Sequence, residues 1–367
     1  MEAKIVTSPA IQLPTTSSPR NDVTSVKDVK VVPDGEGRVI FERPEGRVRI
    51  ERVGDRNRVT VELSSDQPHS PTLVHETSYP LDLIESIVRA KEFGWICDEM
   101  CRDEAEDYVA RNLQATLFTY CSMNEFRGKR VLDFGCGMGA STMRLAKLLP
   151  DSQIVGVELE SYLIEIARKR KAFYNADNVT LLQSPSGDRL PPDLGTFDFV
   201  VFSALFEHLL PHERKALLPM IWGTLRPQGV LFISETPHRW HFKEAHTTKL
   251  MFINYLPDSL TLWATRTFSR RYPKDVSWEF LLREGIRGGT VNEIVRILRT
   301  QPGEPILMVP AKGGDRIDVW LEATNKSKTK RVMAGAFKVL KAVTGITFAP
   351  SLQLGIRRSL NGASGAG

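Results

Sequence analysis

Short apolar runs alternate with helical patterns through the middle of the chain. Five runs have the length and apolar content expected where both faces of a parallel sheet are covered: residues 130–135, 153–158, 179–183, 197–203 and 229–235. Between them, apolar residues recur at helical spacing over 141–149, 161–176 and 213–225. This alternation predicts a doubly wound α/β domain, which binds its ligands at the carboxyl ends of the strands.

Other patterns precede this domain. Residues 1–35 are rich in Ser, Thr, Pro and Val without any period and predict a disordered arm. Residues 36–64 predict a small β-meander, because polar and apolar positions alternate in three runs: "RVIFE", "RVRIERV" and "RVTVEL". Helical spacing then predicts N-terminal helices over 80–127.

The α/β domain, predicted over 128–324, ends in a different pattern. Residues 237–277 lie between strand five and the next helical pattern, so we expect them to form a lid over the carboxyl ends of the strands. A helix-like stretch follows over 277–298. Two apolar runs, 305–310 and 315–323, then flank the turn "KGGD" and predict a terminal antiparallel hairpin.

Composition places the chain among ordinary soluble globular proteins, with 41% hydrophobic and 25% charged residues. The first residues contain no apolar core of a signal peptide, and no run reaches the about 18 apolar residues of a membrane span, which predicts a cytoplasmic protein. Four cysteines are too few for a disulfide scaffold and are expected to be reduced thiols: Cys97, Cys101, Cys121 and Cys136.

The formal net charge of +5 is concentrated at one end of the chain. Eight of the 49 basic residues and none of the 44 acidic ones lie in 323–367, which leaves 41 basic against 44 acidic residues elsewhere. A nucleic-acid-binding domain usually carries positive charge on its own folded surface. The distribution therefore argues against nucleic acid as a partner.

The segment "VLDFGCGMGAST", residues 131–142, joins the first parallel strand to the first helix. Gly135, Gly137 and Gly139 allow a sharp turn and let a ligand approach bare backbone. With Ala140 they also match the G-x-G-x-x-A dinucleotide fingerprint, so the glycines alone do not separate the possible ligands.

Two acidic residues distinguish between the possible ligands of the glycine turn. Asp133 lies beside the helix N-terminus, where it would repel a pyrophosphate but attract the ammonium group of an amino acid whose carboxylate faces the helix amides. Glu158 ends the second strand, where a carboxylate can accept both hydroxyls of a ribose. An amino acid joined to a nucleoside is S-adenosylmethionine, the predicted cofactor; an NAD-binding oxidoreductase and a non-catalytic scaffold are the alternatives.

On these residues and on "SALFEHL" after strand four, residues 129–323 resemble the class I S-adenosylmethionine-dependent methyltransferases, and more narrowly the small-molecule enzymes of quinone biosynthesis. The resemblance implies a Rossmann-like sheet of seven strands, mostly parallel, the last antiparallel. It also implies these cofactor-binding residues: Asp133, Gly135, Gly137 and Glu158 for the methionine and ribose, Gly187 and Asp188 near the adenine, with Gly139 and Ser203 completing the set.

The methyl acceptor is expected to be a small molecule or an amphiphile. Motifs that resemble those of nucleic-acid methyltransferases and protein arginine methyltransferases are missing. The lid carries many aromatic residues, and its 237–275 stretch has seven basic against three acidic residues, which suits an amphiphilic or acidic acceptor such as a lipid or glycan intermediate. An ordinary helical subdomain with its own core is the competing interpretation.

Transfer to a hydroxyl usually requires a base, and histidine titrates near neutrality. His208, which follows strand four, and His246, in the lid, are the candidates. The alternative for His208 is a structural role, as a helix cap or as a partner that fixes Glu207. No histidine pair has H-E-x-x-H spacing, so no metal is predicted.

The tail, residues 325–367, contains an amphipathic pattern in "KTKRVMAGAFKVLKAVTGI". Its apolar positions recur at helical spacing, and five basic residues accompany them. Such a helix can lie on an anionic membrane surface, or it can pack on the protein's own domain; both interpretations stay open.

Overall fold

In the computed structural model, the described residues are 27–34, 38–64, 67, 69–311, 314–324, 326–345 and 347–360. They form two separate sheets. Most of the predicted N-terminal arm, including residues 1–26, lies outside the described residues. Its end does not, and Lys30–Asp34 forms a strand, so the boundary of the arm at residue 35 is wrong.

The first sheet is antiparallel and confirms the predicted meander. Its strands pair in chain order: β1 Lys30–Asp34, β2 Arg38–Arg43, β3 Gly46–Val53, β4 Arg56–Leu63 and β5 Val74–Thr77. The alternating apolar residues of β3 and β4, such as Val48 and Val59, share one buried face. That face packs on N-terminal helices through Leu83, Ile84 and Ile96.

The second sheet contains seven strands: β6 Arg130–Phe134, β7 Gln153–Glu158, β8 Val179–Gln183, β9 Phe197–Ser203, β10 Leu225–Ser234, β11 Pro305–Leu307 and β12 Leu354–Arg358. They lie in the order β11-β12-β10-β9-β6-β7-β8. Strands β6 to β10 are parallel, and β12 is antiparallel to both its neighbours. The doubly wound α/β prediction is confirmed.

Eleven α-helices are described: α1 Leu81–Ala90, α2 Ile96–Glu104, α3 Val109–Tyr120, α4 Ala140–Leu148, α5 Ser161–Tyr174, α6 Pro211–Thr224, α7 Asp258–Phe268, α8 Trp278–Arg283, α9 Val291–Leu298, α10 Arg316–Ala323 and α11 Lys328–Thr344. The stretch 277–298 is two helices, not one. Gly285 and Gly288 separate them, and both have the positive φ that a glycine adopts without strain. In the described part of the chain, no helix is long and apolar enough to cross a membrane.

The predicted hairpin over 305–310 and 315–323 is wrong in its second half. Residues 316–323 form helix α10, whose N-terminus is held by a capping box between Asp315 and Asp318. Ile317 and Trp320, spaced three residues apart, are buried on one face of the helix. Capping and the helical spacing of buried residues therefore outweigh the strand-like apolar pattern of "DRIDVWLEA".

The antiparallel strand comes instead from the segment predicted to be a tail. Strand β12 inserts between β10 and β11, with Ile233 opposite Leu354 and Leu231 opposite Ile356. Both β12 side chains are fully buried. The predicted domain boundary at residue 324 is therefore wrong, because the domain needs a strand 30 residues further on to complete its sheet.

Candidate active site

The glycine turn after β6 has the backbone conformation that its sequence predicts. Gly135, Gly137 and Gly139 all have positive φ, at 74°, 54° and 87°. A Cβ on Gly139 would lie 2.8 Å from Ala167 Cβ, whereas a Cβ on Gly137 would meet nothing within 4 Å. Gly139 thus permits close packing of α4 on α5, and Gly137 leaves open space beside its backbone for a ligand.

Asp133 is buried at the end of β6. Its carboxylate accepts hydrogen bonds from the hydroxyls of Ser141, at 2.8 Å, and Thr142, at 2.7 Å. Burial raises the pKa of Asp133, and the two hydroxyls oppose that shift. The residue therefore ties the strand to the first turn of α4 and places a carboxyl group beside the glycine turn.

Glu158 connects the same turn to the end of β7. One carboxylate oxygen accepts a hydrogen bond from the Gly137 N–H at 2.8 Å, and the other accepts one from the Leu159 N–H at 2.7 Å. The Glu160 N–H donates a third hydrogen bond to this carboxylate, at 3.2 Å. A carboxylate has about four acceptor sites, so capacity remains for one further donor. Asp133 and Glu158 thus bracket the glycine turn from two neighbouring strands.

The other predicted cofactor residues lie at the same edge of the sheet. Gly187 and Asp188 belong to the loop after β8, where the exposed Asp188 carboxylate accepts a 2.7 Å hydrogen bond from Ser186. Ser203 ends β9 and donates a 3.1 Å hydrogen bond to Glu235, which follows β10. The Ser203 hydroxyl is therefore already engaged in a contact between two strand ends.

Arg102 of α2 is a residue that the sequence pattern did not single out. Burial opposes its charge, but Glu99 and Glu235 outweigh burial and raise its pKa. Arg102 also attracts the Asp133 carboxylate electrostatically. A helix far upstream of the glycine turn thus brings a guanidinium to the carboxylates of this site, and no local motif marks it.

The two predicted catalytic histidines lie together. The rings of His208 and His246 have centroids 5.5 Å apart, and His208 Nε2 lies 3.9 Å from Glu207 Oε1. His208 Nδ1 is 2.6 Å from the Arg283 carbonyl oxygen, so Nδ1 carries the proton and donates to it. The protein packed around His246, followed by the neighbouring His208, lowers the pKa of His246 to about 4. This value is below the near-neutral one expected of a base.

A cleft of about 190 Å³ opens between this group and the lid. Its lining includes Glu235, Lys243, His246 and Arg287. The aromatic residues predicted to line the acceptor pocket are not among the lining residues within the described part of the chain. They lie on the exposed outer surface instead: Trp240, Phe242, Phe252, Tyr255 and Trp263, with Met251.

Comparisons with known proteins agree with this geometry. Residues 131–229 match the model of the family described as "Methyltransferase domain". An uncharacterized protein of Rickettsia prowazekii is 30% identical over 124 residues, which are 34% of this chain and 49% of that protein. A carboxy-S-adenosyl-L-methionine synthase of Aliivibrio fischeri is 32% identical over 124 residues, which are 33% of this chain and 49% of that protein. The chain thus spans about half the length of these curated relatives.

Among solved structures, a glycopeptide N-methyltransferase complexed with sinefungin is similar, with 23% identity, a TM-score of 0.30, and coverage of 36% of this chain and 54% of that one. That TM-score is too low to support an inference about ligand or substrate. The family match and the strand order place residues 131–229 in the class I S-adenosylmethionine-dependent methyltransferases. The resemblance found in the sequence, and the cofactor class it implied, are confirmed.

Proposed function

We propose that the protein transfers a methyl group from S-adenosylmethionine to a hydroxyl of a small or amphiphilic acceptor. The observation that carries the proposal is the loop after β9, which connects the glycine turn to the cleft. A Cβ on Gly135 would lie 2.4 Å from Leu205 Cδ2, so this loop packs directly on the turn. Two and three residues later, Glu207 and His208 reach His246 at the end of the cleft.

Groups of opposite charge suit the ammonium and the carboxylate of the cofactor's methionine. Asp133 offers a carboxyl group to the ammonium of its methionine, and Arg102 offers a guanidinium to the carboxylate. Glu158 retains one acceptor site, which suits a ribose hydroxyl, beside the open backbone of Gly137. A dinucleotide would bring its pyrophosphate close to Asp133, whose carboxylate would repel it.

Calorimetry with S-adenosylmethionine and with NAD tests the cofactor. We expect the first to bind and the second not to bind. Asp133→Ala removes a charged hydrogen-bonding partner, so we expect it to weaken cofactor binding about 10- to 150-fold. Asp151→Ala, at an exposed turn of the same domain, is the matched control and should bind as the wild type does. NAD binding without S-adenosylmethionine binding would overturn the proposal.

The cleft favours an acidic acceptor. Lys243 and Arg287 carry positive charge in its lining, against Glu235 and Glu244. The Glu244 carboxylate is satisfied by backbone N–H groups of the lid, including that of Thr247 at 2.8 Å. We infer that the acceptor hydroxyl meets the methyl group beside His208 and His246. Release of S-adenosylhomocysteine with candidate acceptors would separate an enzyme from a non-catalytic scaffold.

We also propose that the acceptor is met at an anionic membrane surface. Helix α11 packs on α10 through Ala334 and Phe337, so the interpretation in which it docks on its own domain holds for that face. The opposite face is apolar and exposed, with Val339 at 67% and Val343 at 80% accessibility. We call it, together with the exposed aromatic residues of the lid, the α11–lid surface: Val332, Val339, Leu340, Val343, Trp240, Phe242, Met251, Phe252, Tyr255 and Trp263.

The lid contacts α11 on the buried face of that helix, where the rings of His241 and Phe337 have centroids 5.8 Å apart. The basic charge of the α11–lid surface is smaller than the sequence suggests. Lys338 and Lys341 form ion pairs with Asp318 and Asp315 of the protein itself. The remaining bases at the start of α11 are Lys328, Lys330 and Arg331, and each contributes about 1 kcal/mol near an anionic leaflet.

Flotation with anionic and with neutral liposomes tests the membrane proposal. We expect salt-sensitive flotation with anionic liposomes, and its loss in the double variant Val339→Asp, Val343→Asp, because both charges would enter the acyl boundary. Val74→Asp, at an exposed position of the N-terminal sheet, is the control. Failure of the wild type to float, or equal flotation of the double variant, would refute this part of the proposal.

A further inference from the structure

We propose that Glu207, His208 and His246 form a binding site for one divalent transition-metal ion, with Zn²⁺ as the best match. One carboxylate oxygen and one nitrogen from each histidine lie within 4.8 Å of one another. Two imidazoles and a carboxylate are a frequent catalytic zinc set, in which a fourth position stays open for water or substrate. The H-E-x-x-H spacing is absent because the ligands come from two different loops.

Glu207 supplies an oxygen that lacks a partner. Its side chain is fully buried, and one oxygen accepts a 3.0 Å hydrogen bond from the Thr236 hydroxyl. The other, Oε1, has no hydrogen-bond partner among the described residues. A buried carboxylate oxygen without a donor is costly, and a bound cation removes that cost. Oε1 is the oxygen that faces His208 Nε2.

His208 is oriented as a metal ligand is. Its Nδ1–H donates to the Arg283 carbonyl oxygen, which leaves the lone pair of Nε2 directed to the carboxylate side. Metal-binding histidines almost always donate their second ring N–H to a carbonyl or carboxylate in this way. Arg283 ends α8, and its guanidinium donates a 2.7 Å hydrogen bond to Glu213, which holds this end of α8 against α6.

Gly285 makes room for the three ligands. A Cβ at this position would lie 2.9 Å from His246 Cδ2 and 3.1 Å from Glu207 Cγ. The bare backbone thus lets the lid histidine approach the buried carboxylate. Ligands at tetrahedral zinc are about 3.3 Å apart, given bond lengths of about 2.0–2.1 Å. The present separation between Glu207 Oε1 and His208 Nε2 is 3.9 Å, so a bound ion would have to draw these two atoms slightly closer.

The site has a chemical use that rests on the proposed function. Glu207, His208 and His246 would hold the ion, and a cation there would lower the pKa of the acceptor hydroxyl by stabilising its oxyanion. The acceptor proton passes to solvent, the oxygen lone pair forms a bond to the methyl carbon, and the carbon–sulfur bond breaks to leave S-adenosylhomocysteine. The histidines would then act as neutral imidazole ligands instead of as bases.

Metal binding is measured without cofactor or acceptor, so its outcome is separate from that of methyl transfer. We expect metal-free protein to bind one equivalent of Zn²⁺ by calorimetry and one of Co²⁺ by its visible absorption, with no response to Mg²⁺, which prefers oxygen ligands. Glu207→Gln and His246→Ala should each weaken Zn²⁺ binding by more than about 100-fold, beyond the 10- to 100-fold effect of losing an outer partner.

His212→Ala, an exposed histidine at the start of α6, is the matched control and should bind Zn²⁺ as the wild type does. Glu207→Gln keeps the shape of a buried side chain, and His246→Ala changes an exposed one, so circular dichroism is expected to show both variants folded. Absence of a stoichiometric Zn²⁺ complex in the wild type would overturn the proposal. So would a complex whose affinity neither substitution changes.

Discussion

Leu354→Ala tests whether the C-terminal segment is an integral part of the domain. Leu354 lies in β12, is fully buried, and pairs with Ile233 of the central strand β10. Its side chain belongs to the cluster that contains Trp222 and Leu231. If the segment were a peripheral tail, truncating this side chain would have no effect on the sheet.

The expected cost follows from the burial. Leucine-to-alanine changes at fully buried positions destabilise by about 2–5 kcal/mol, because apolar contacts are lost and a cavity remains. For domains of 150–250 residues, each kcal/mol lowers the melting temperature by about 2–4 °C, so a decrease of roughly 4–20 °C is expected. Complete removal of the chain after Thr324 deletes Leu352 and Ile356 as well, which approaches the whole 5–15 kcal/mol stability of a typical domain.

Urea denaturation followed by circular dichroism, together with thermal melts, measures this effect. Leu360→Ala is the matched control, since Leu360 follows β12 but is 71% exposed, and its substitution should change stability by less than about 0.5 kcal/mol. A Leu354→Ala protein within 1 kcal/mol of the wild type, or a cooperative unfolding transition in the protein truncated after Thr324, would refute the assignment of β12 to the sheet.

Two further predictions concern other parts of the fold. Gly285→Ala should destabilise the protein by about 1–3 kcal/mol, because Gly285 has a φ of 87° and no room for a Cβ. Gly223→Ala should instead stabilise the protein by about 0.5–1 kcal/mol, because Gly223 lies within α6 and a Cβ there would meet open space. Thermal melts of both variants test whether the two changes in stability have opposite signs. Burial opposes the charge of His75, but hydrogen bonds with Cys101 and Glu104 outweigh burial and raise its pKa from 6.5 to about 9. The stability that this charge contributes should be complete below about pH 6.5 and lost as the pH rises through about 9. Urea denaturation of the wild type and of His75→Gln over this pH range measures the difference in free energy of unfolding. A difference that stays constant with pH would contradict the interpretation.

The parallel half of the sheet was predictable because its signals are local. Strands such as 153–158 and 179–183 are short apolar runs, and each is followed or preceded by a helix with its own periodicity. The observed bounds of β7, β8 and β9 coincide with the predicted ones. A right-handed connection of strand, helix and parallel strand leaves few alternatives once these runs are identified.

The C-terminal half depended on distant pairing. Strand β12 lies more than 100 residues after β10, its partner, and its sequence "LGIRR" has neither a long apolar run nor clear alternation. The segment 315–323, which looks like a strand, was decided by a capping box and by the docking of Trp320 against Phe337. A local sequence pattern does not reveal which strand of a sheet still lacks a hydrogen-bonding neighbour. That missing neighbour determines which distant segment becomes a strand.

The site shows the same division. Asp133, Gly137 and Glu158 follow from a motif within 28 consecutive residues, because a strand, a turn and a helix fix their relative positions. The group of Glu207, His208 and His246, and the approach of Arg102, depend on how the lid and an N-terminal helix pack on the sheet. By itself the sequence determined the glycine turn and its two carboxylates, because the local backbone geometry of a strand, a turn and a helix positions them. Tertiary packing decided which side chains surround the proposed acceptor site, because segments far apart in the chain supply them.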